Sequence, residues 1–537
     1  MKLTYLLNGE KKVTDKSNDD VFILETSNKE LKTAKVKALK DITLVKAEQI
    51  APSFINYNDL YFLNGYQSWT DSKEYKLVKR LRNVRKSPHI ITYLYGLDKY
   101  GDVNFYQYSI RKSHGYDVFY SKGRNELFIY NLNYELAYLI IELVKDSRDI
   151  HLISDVKGLK LKANEEQEVF KYKLYKNYEE GLEAFRNDFK KKDILKIFGY
   201  SSWYNYYQNI NEEIILRDLD GLDSRFNMFQ IDDGYEAFVG DWLDVDKNKF
   251  PNGLEEIVKK IHSRGYKAGI WMAPFIAEEK SELFKNHNDW IRRDKNRRLI
   301  KAGGNWSGFY SLDIENEEVK DYIRKCLKHY MDLGFDFFKL DFLYASVIDD
   351  FEGKTRCQAQ NEAYKLLRDT LKDKLILGCG ANIINSYNNF DYLRIGPDVS
   401  LTFDDVFYMK LLHRERISTK ITLQNTIFRS IFNGHLFGND PDVFLLRDDN
   451  IGLSKEQRHA LAKINALFGS VLMTSDDMNK YDEEKRQELA NALDLFKNAK
   501  VTNYYLKGKL ITVDYEAHGE NHQFIYDINK GILIYDR

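Results

Sequence analysis

Cysteine, proline and long apolar runs are all scarce in this sequence. Its 537 residues include three cysteines, Cys326, Cys357 and Cys379. So few and so widely spaced thiols offer neither a disulfide framework nor a zinc pattern, and they are typical of a reducing compartment. No stretch approaches the roughly 18 apolar residues of a membrane span, and residues 1–10 contain no run of signal-peptide length. We therefore expect a cytoplasmic protein without a membrane partner.

An excess of basic charge is also missing. Lys and Arg number 81 against 82 for Asp and Glu, which gives a formal net charge of −1. Dedicated nucleic-acid binders usually carry a basic excess, so we expect no nucleic-acid partner. Aromatic residues are abundant instead, with 38 Tyr and 32 Phe, and their rings either pack β-sheets or stack on sugars.

Two changes of hydrophobic pattern divide the chain, which is too long for one ordinary core. Up to residue 165, short β-rich runs at residues 21–24, 89–95, 103–108 and 127–130 predict an N-terminal β-sandwich. A helical pattern at residues 178–190 predicts a helical linker over 166–195. From residue 485 to 537 the β signals return, at residues 509–515 and 531–535, and predict a small C-terminal all-β domain.

Between residues 196 and 484, apolar runs alternate with amphipathic helical patterns. The runs lie at residues 197–200, 228–231, 267–271, 336–340, 375–379, 392–395, 435–438 and 469–473. Strands that alternate with helices in this way predict a catalytic (β/α)₈ TIM barrel. A doubly wound open sheet is the alternative, and it is disfavoured because no Gly-rich phosphate-binding turn follows the first run.

Polar residues recur at the ends of these runs. They include Asp232-Asp233-Gly234, Lys339-Leu340-Asp341, Gly378-Cys379-Gly380, Arg394-Ile395-Gly396-Pro397-Asp398 and Asn439-Asp440-Pro441-Asp442. In a barrel the carboxyl ends of the strands share one face, so we expect these groups to line one pocket. Two carboxylates as nucleophile and acid/base, with others that bind hydroxyl groups, are typical of glycoside hydrolysis.

Each motif also has an ordinary structural interpretation. Asp-Asp-Gly is typical of a turn, and Lys339 with Asp341 is typical of a structural ion pair. Trp271 suits a core, and Cys379 suits a buried small residue. The sequence has only six prolines, and three of them, Pro274, Pro397 and Pro441, follow strand candidates. A fixed φ at those positions would orient the neighbouring side chains, and chance is the alternative explanation.

The motifs together resemble glycoside hydrolase family 36, the bacterial α-galactosidase family, over nearly the full length. The matching stretches, in family order, are residues 199–207, 229–236, 240–242, 269–275, 338–343, 377–380, 394–398 and 438–442. The resemblance implies the same three-domain architecture. It also implies a retaining, exo-acting α-galactosidase that removes terminal α-linked galactose from oligosaccharides by double displacement.

The resemblance implies a role for each motif residue. It makes Asp341 the nucleophile and Asp398 the general acid/base. The substrate-binding residues that it implies are Asp232 and Asp233 at the 4- and 6-hydroxyls, Lys339 at the 3- and 4-hydroxyl side, Arg394 and Cys379 at the 2-position side, Trp271 beside the ring, and Trp203, Tyr204 and Tyr66. Residues 64–69 resemble a family loop that reaches over the barrel mouth. No cofactor and no metal is implied, and the oligomeric state stays open.

Departures from the family pattern keep other functions open. After Gly380 this chain has Ala381-Asn382-Ile383, where the family often has a small residue followed by Pro-Leu. An α-N-acetylgalactosaminidase or a raffinose-type transglycosylase on the same scaffold is one alternative. A non-catalytic carbohydrate-binding protein is another, which the presence of both carboxylates disfavours. A metal-dependent hydrolase is the third, and the strand ends lack the His that most transition-metal sites use.

Overall fold

The computed structural model describes residues 1–76, 96–105, 111–190, 192–406 and 414–537. Antiparallel sheets occupy the N-terminal part, a parallel barrel follows, and one more antiparallel sheet ends the chain. The predicted fold class, an N-terminal β-sandwich, a central TIM barrel and a small C-terminal all-β domain, is confirmed. Within the described ranges, no helix combines the length and the apolar character that crossing a bilayer requires.

Two antiparallel sheets pack face to face in the N-terminal domain. The first contains Lys2–Leu7, Glu10–Thr14, Ile42–Phe54, Lys112–Tyr116, Leu139–Val144, Asp149–Ser154 and Lys160–Leu161. The second contains Val21–Asn28, Leu31–Ala38, Leu60–Leu63, Glu74–Lys76, Val118–Lys122, Leu127–Asn131 and Glu166–Tyr175. Leu3 and Leu44 of the first sheet share one core with Val36 and Ile129 of the second, as expected of a sandwich.

The segment predicted as a helical linker begins with a strand rather than a helix. Glu166–Tyr175 pairs with Leu31–Ala38 on one side and with Leu127–Asn131 on the other. Phe170, Tyr172 and Leu174 alternate along its buried face, which is the period of a strand. Helix Tyr178–Asp188 follows, and the Asn177 side chain caps its first turn.

The predicted strand at residues 103–108 does not form in its described part. The Asp102 side chain accepts a hydrogen bond from the Asn104 N–H at 2.9 Å, and this local bond favours the turn that residues 103–104 adopt. Residues 106–108 lie outside the described residues, and so does the predicted strand at 89–95.

Parallel strands form the barrel, and we number them β1 to β8. Within the described chain they are β1 Ile197–Ser201, β2 Met228–Ile231, β3 Lys267–Met272, β4 Phe337–Leu340, β5 Leu375–Gly378, β6 Tyr392–Arg394, β7 Gly438–Asp440 with its continuation Val443–Phe444, and β8 Val471–Thr474. Each strand pairs with the next, and β1 pairs with β8. The seventh strand starts later than predicted, because residues 434–436 form a turn.

The barrel closes through a strand that is broken in the middle. Gly438–Asp440 pairs with β6, whereas Val443–Phe444 pairs with β8. Pro441 and Asp442 separate the two halves, and Asp442 has a positive φ of 76°. The two halves of β7 therefore bond to different neighbours, and the ring is complete.

Helices alternate with the barrel strands. They are Trp203–Tyr206, Glu212–Gly221, Glu255–Ser263, Glu282–Asn286, Glu317–Asp332, Arg356–Leu371, Thr419–Phe428 and Lys455–Phe468. Glu255–Ser263 shows why they form, because Ile257, Val258 and Ile261 lie on one buried face at helical spacing.

The C-terminal sheet begins after one more helix. Glu483–Asn498 is helical, so the boundary predicted at residue 485 falls within that helix. The strands Ala499–Lys507, Leu510–Ala517, Glu520–Asp527 and Ile532–Asp536 then pair in sequence order as an antiparallel sheet.

Candidate active site

A cavity of about 410 Å³ opens among the carboxyl ends of the barrel strands. Its lining includes seven predicted residues: Trp203, Asp232, Asp233, Trp271, Lys339, Asp341 and Asp398. The carboxyl ends of parallel barrel strands meet on one face, and the structure brings β2, β3, β4 and the segment after β6 together there.

Asp232 and Lys339 form a buried ion pair in this cavity. Lys339 Nζ lies 2.9 Å from Asp232 Oδ2, and both side chains are almost fully buried. The same carboxylate oxygen accepts a hydrogen bond from Ser201 Oγ at 3.2 Å. Burial alone lowers the pKa of Lys339, but Asp232 and Asp341 more than offset it and raise that pKa above its ordinary value. The ammonium group therefore stays charged in the cavity wall.

Asp341 is held in one orientation by hydrogen bonds to both carboxylate oxygens. Trp271 Nε1 donates to Oδ2 at 3.1 Å, and the Phe342 N–H donates to Oδ1 at 2.7 Å. Phe342 has a φ of 54°, so the chain turns sharply directly after the carboxylate. A nucleophile needs such a fixed approach to the reacting carbon.

Asp398 projects from the segment that follows β6. Arg394 Nη1 lies 3.0 Å from its Oδ1, and 33% of the Asp398 side chain is exposed. Partial burial of the carboxyl raises the pKa of Asp398 above its ordinary value, although Arg394 and Lys339 both lower it. A carboxyl group with a raised pKa suits the role of a general acid.

Asp233 faces a second polar cluster in the same cavity. Trp306 Nε1 donates to its Oδ2 at 3.0 Å, and Gln208 Nε2 donates to its Oδ1 at 3.2 Å. The chain turns at Gly234, where φ is 115° and a Cβ would come within 2.8 Å of the Gln208 backbone. This glycine therefore allows two successive carboxylates to face one cavity.

Four predicted binding residues do not line the cavity. Cys379 lies behind the wall, where its Sγ accepts a hydrogen bond from Trp69 Nε1 at 3.3 Å. Tyr204 donates its hydroxyl hydrogen to Asp442. Arg394 bonds Asp398, Asp440 and Asp442. The structure therefore gives these three residues contacts with other protein groups at the site.

Tyr66 is the fourth, and it points into the interdomain core. Its ring packs edge-on against Tyr116 and Tyr138, with ring centroids 5.1 and 5.9 Å away. Trp69, three residues later, lines the cavity instead. The loop predicted to reach over the barrel mouth thus contributes a different aromatic residue from the one expected.

Several cavity residues were missed by the sequence analysis. They are Trp69, Leu97, Tyr100, Gln208, Asn305, Trp306, Phe342, Pro397, Asp405, Glu415, Arg416 and Ile417. Most of them lie in irregular segments, where no periodicity shows which way a side chain points. A signal was available for Trp69, Phe342 and Pro397, since each lies in a motif already noted.

Arg429 attaches the N-terminal loop to the barrel. Its side chain is fully buried, and its guanidinium donates to the backbone oxygens of Ser68 at 2.5 Å, Gln67 at 3.2 Å and Ile395 at 2.8 Å. Ile395 directly follows β6, so one side chain connects the loop that carries Trp69 to the barrel.

Residues 180–368 match the family model described as Melibiase. About a third of the chain is thus similar to the melibiase family. The match includes Asp232, Lys339 and Asp341, whereas Asp398 lies beyond its end. The ion pair and the candidate nucleophile thus lie within the residues that match this family model.

Curated relatives match over part of the chain. It is 29% identical over 184 residues to α-galactosidase Mel36A of Lactobacillus acidophilus, covering 33% of this chain and 24% of that protein. It is 30% identical over 181 residues to α-xylosidase XylQ of Lactiplantibacillus pentosus, covering 30% and 22% respectively. The chain thus spans about a quarter of the length of these relatives.

A solved structure matches over nearly all of this chain. It is TtGalA, an α-galactosidase from Thermus thermophilus in complex with p-nitrophenyl α-D-galactopyranoside. The TM-score is 0.72 at 23% identity, and the match covers 97% of this chain and 98% of that one. At this level of identity the likeness shows a shared fold.

Proposed function

We propose that this protein is a retaining, exo-acting α-galactosidase that acts on oligosaccharides. The observation that carries the proposal is that Asp341 and Asp398 line one cavity with the buried Asp232–Lys339 pair. Asp341 attacks the anomeric carbon while Asp398 protonates the leaving oxygen. Asp398 then takes a proton from water, which hydrolyses the glycosyl ester.

The 4-position of the sugar is the first basis for choosing galactose. Asp232 and Lys339 present a fixed acceptor and a fixed donor, which suit an axial hydroxyl. An equatorial 4-hydroxyl would not make these charge-assisted hydrogen bonds with the pair. Such a loss costs on the order of 1–3 kcal/mol, or about tenfold to a hundredfold in rate.

α-Xyloside hydrolysis is the second candidate, because XylQ carries that name. Xylose lacks the hydroxymethyl group of galactose. The cluster of Asp233, Gln208 and Trp306 supplies hydrogen-bonding groups that a 6-hydroxyl uses. A xyloside leaves this cluster without a sugar partner, so the polar groups around Asp233 favour galactose.

The 2-position favours a hydroxyl over an acetamido group. Asn382 is buried and donates its side-chain N–H to the Tyr66 backbone oxygen at 2.9 Å. Trp69 lies over Gly380, where a Cβ would come within 3.1 Å of its ring. We infer that this side is filled, which disfavours N-acetylgalactosamine.

A panel of nitrophenyl glycosides tests the choice of substrate. We expect kcat/KM to be highest for the α-galactoside and at least about tenfold lower for the α-xyloside, α-glucoside and α-N-acetylgalactosaminide. Proton NMR of the first sugar released should show the α-anomer. A β-anomer rejects retention, and a faster α-xyloside reaction rejects the assigned specificity. Absence of turnover on every glycoside, with Asp341→Asn as the matched blank, rejects the enzymatic proposal.

We also propose that the protein acts in the cytoplasm. Cys326, Cys357 and Cys379 are all buried and unpaired, in keeping with a reducing compartment.

A further inference from the structure

Asp442 occupies an unusual place in the fold, at the break in β7. Its φ of 76° lies in the left-handed region, which few residues other than Gly, Asn and Asp adopt. Its side chain is 1% exposed. A strained backbone that presents a buried carboxylate beside a cavity points to a functional constraint.

The Asp442 carboxylate contacts the surroundings of Asp398 from two sides. Oδ2 accepts a hydrogen bond from the N–H of Val399, the residue after Asp398, at 2.7 Å. Oδ1 lies 2.9 Å from Arg394 Nη2, and Arg394 Nη1 lies 3.0 Å from Asp398. Asp442 thus fixes both the backbone that carries Asp398 and the cation that faces its side chain.

The charged and titratable groups that face Asp442 come from every neighbouring element. They are Arg394 of β6, Asp398 after β6, Asp440 of β7 and Tyr204 of the helix after β1. Tyr204 donates its hydroxyl hydrogen to Asp442, and the Asp442 N–H donates to Asp440 Oδ1 at 2.9 Å. Burial raises the pKa of Asp442 to about 7, against the opposing effect of Arg394.

We propose that Asp442 is a positioning residue that holds Asp398 in the orientation and charge environment in which it acts as acid/base. This inference rests on the proposed function. Asp442 does not line the cavity, so it acts through Arg394 and the Val399 amide. Asp442 is ionised above its pKa of about 7, and there its replacement by Asn leaves Arg394 facing two carboxylates instead of three, which makes Asp398 lose its proton at lower pH.

The test compares Asp442→Asn with the wild type on two α-galactosides. Asn keeps the shape and tolerates positive φ. We expect kcat/KM for a galactosyl disaccharide to fall at least about tenfold more than for the 2,4-dinitrophenyl galactoside, because only the sugar leaving group needs the acid. The alkaline limb of the disaccharide pH profile should move to lower pH. Asp442→Gly relieves the backbone and should show the same substrate dependence, which covers the case of a poorly folded Asn variant.

Asp218→Asn is the matched control. Asp218 is also a buried carboxylate in the barrel with a Tyr and an Arg partner, Tyr200 and Arg217, but it does not line the cavity. We expect this control to lower stability without changing the substrate ratio or the pH limb. Equal losses on both galactosides for Asp442→Asn and Asp442→Gly, with wild-type turnover intact, overturn this inference alone. A wild type without turnover overturns the proposed function and this inference with it.

Discussion

The barrel wall and the N-terminal wall of the cavity are held by different interactions. On the barrel wall, Asp232, Lys339 and Asp341 lie in or directly after strands and bond to other side chains and backbone amides. On the N-terminal wall, Trp69 belongs to a loop whose backbone carbonyls bind Arg429. Charge pairs orient the first wall, and an interdomain backbone contact orients the second.

Because different interactions hold the two walls, substitutions in them should have different effects. Replacing a charged residue of the barrel wall leaves its partner buried without a counter-charge, which alters both the reaction and the stability of the fold. Replacing the aromatic residue of the N-terminal wall leaves the hydrogen bonds of Arg429 intact. We therefore expect barrel substitutions to abolish the reaction and loop substitutions to alter which leaving groups are accepted.

The largest effect is expected for Asp341→Ala. Loss of the nucleophile prevents the glycosyl ester from forming, so kcat should fall by about a thousandfold or more, as when other nucleophiles are removed. Steady-state hydrolysis of an aryl α-galactoside measures the loss. Restoration of turnover by azide, with an azide adduct of inverted configuration, would confirm the role. Retention of more than a few per cent of the wild-type rate without azide would contradict it.

Asp398→Ala should have the next largest effect, and one that depends on the substrate. Loss of the acid should slow disaccharide hydrolysis by about 10²–10⁴-fold but affect formation of the glycosyl ester from an activated aryl galactoside far less. The raised pKa of Asp398 also predicts the direction in which the pH profile of activity is shifted. Wild-type activity needs Asp398 protonated, so the alkaline limb should lie above the ordinary carboxyl pKa. An equal loss on both substrates would indicate a binding role.

Lys339→Met tests the ion pair of the barrel wall. It leaves Asp232 buried without its cation, and breaking such a pair costs about 3–5 kcal/mol in the free energy of unfolding. Urea denaturation measures this cost. The double variant Lys339→Met/Asp232→Leu should recover part of the stability while galactoside hydrolysis stays lost. A single variant as stable as the wild type would argue against a coupled pair.

Trp69→Ala should have the smallest effect and a different character. It removes an aromatic surface from the N-terminal wall, so KM for oligosaccharides should rise about tenfold while kcat on aryl galactosides changes little. Tyr66→Phe is the matched control, because Tyr66 lies in the same loop but faces the core. If Tyr66→Phe raised KM as much as Trp69→Ala, the assignment of the cavity wall to Trp69 would fail.

The sequence predicted the barrel because each strand is an apolar run that ends in a polar motif. β2 and β4 are clear examples, since their burial and their terminal carboxylates are both local properties. Glu166–Tyr175 was missed because a helical pattern follows it directly. The strands that pair with Glu166–Tyr175 lie far away in sequence, so the local pattern carries no information about them.

In the candidate site, too, some residues could be predicted from the local sequence and others could not. Asp232, Lys339, Asp341 and Asp398 could be named from strand ends and resemblance, and all of them line the cavity. The resemblance assigned Arg394 to the sugar, whereas the structure directs its guanidinium at three carboxylates, Asp398 four residues later and Asp440 and Asp442 at β7. The two contacts with β7 depend on the pairing of β6 with β7, which no single motif encodes.

The break in β7 also has a consequence for folding order. The first half of the strand pairs with β6 and the second half with β8, so the seam of the ring is also where Asp440 and Asp442 reach Arg394. The pairing of β8 with β1 that completes the ring joins the two ends of the barrel sequence, so it should form late, because a long loop must close first. An emerging chain also presents Asp232 and Lys339 before Arg394 and Asp442, so we expect the half of the site beside β7 to be completed last, together with the closure of the ring.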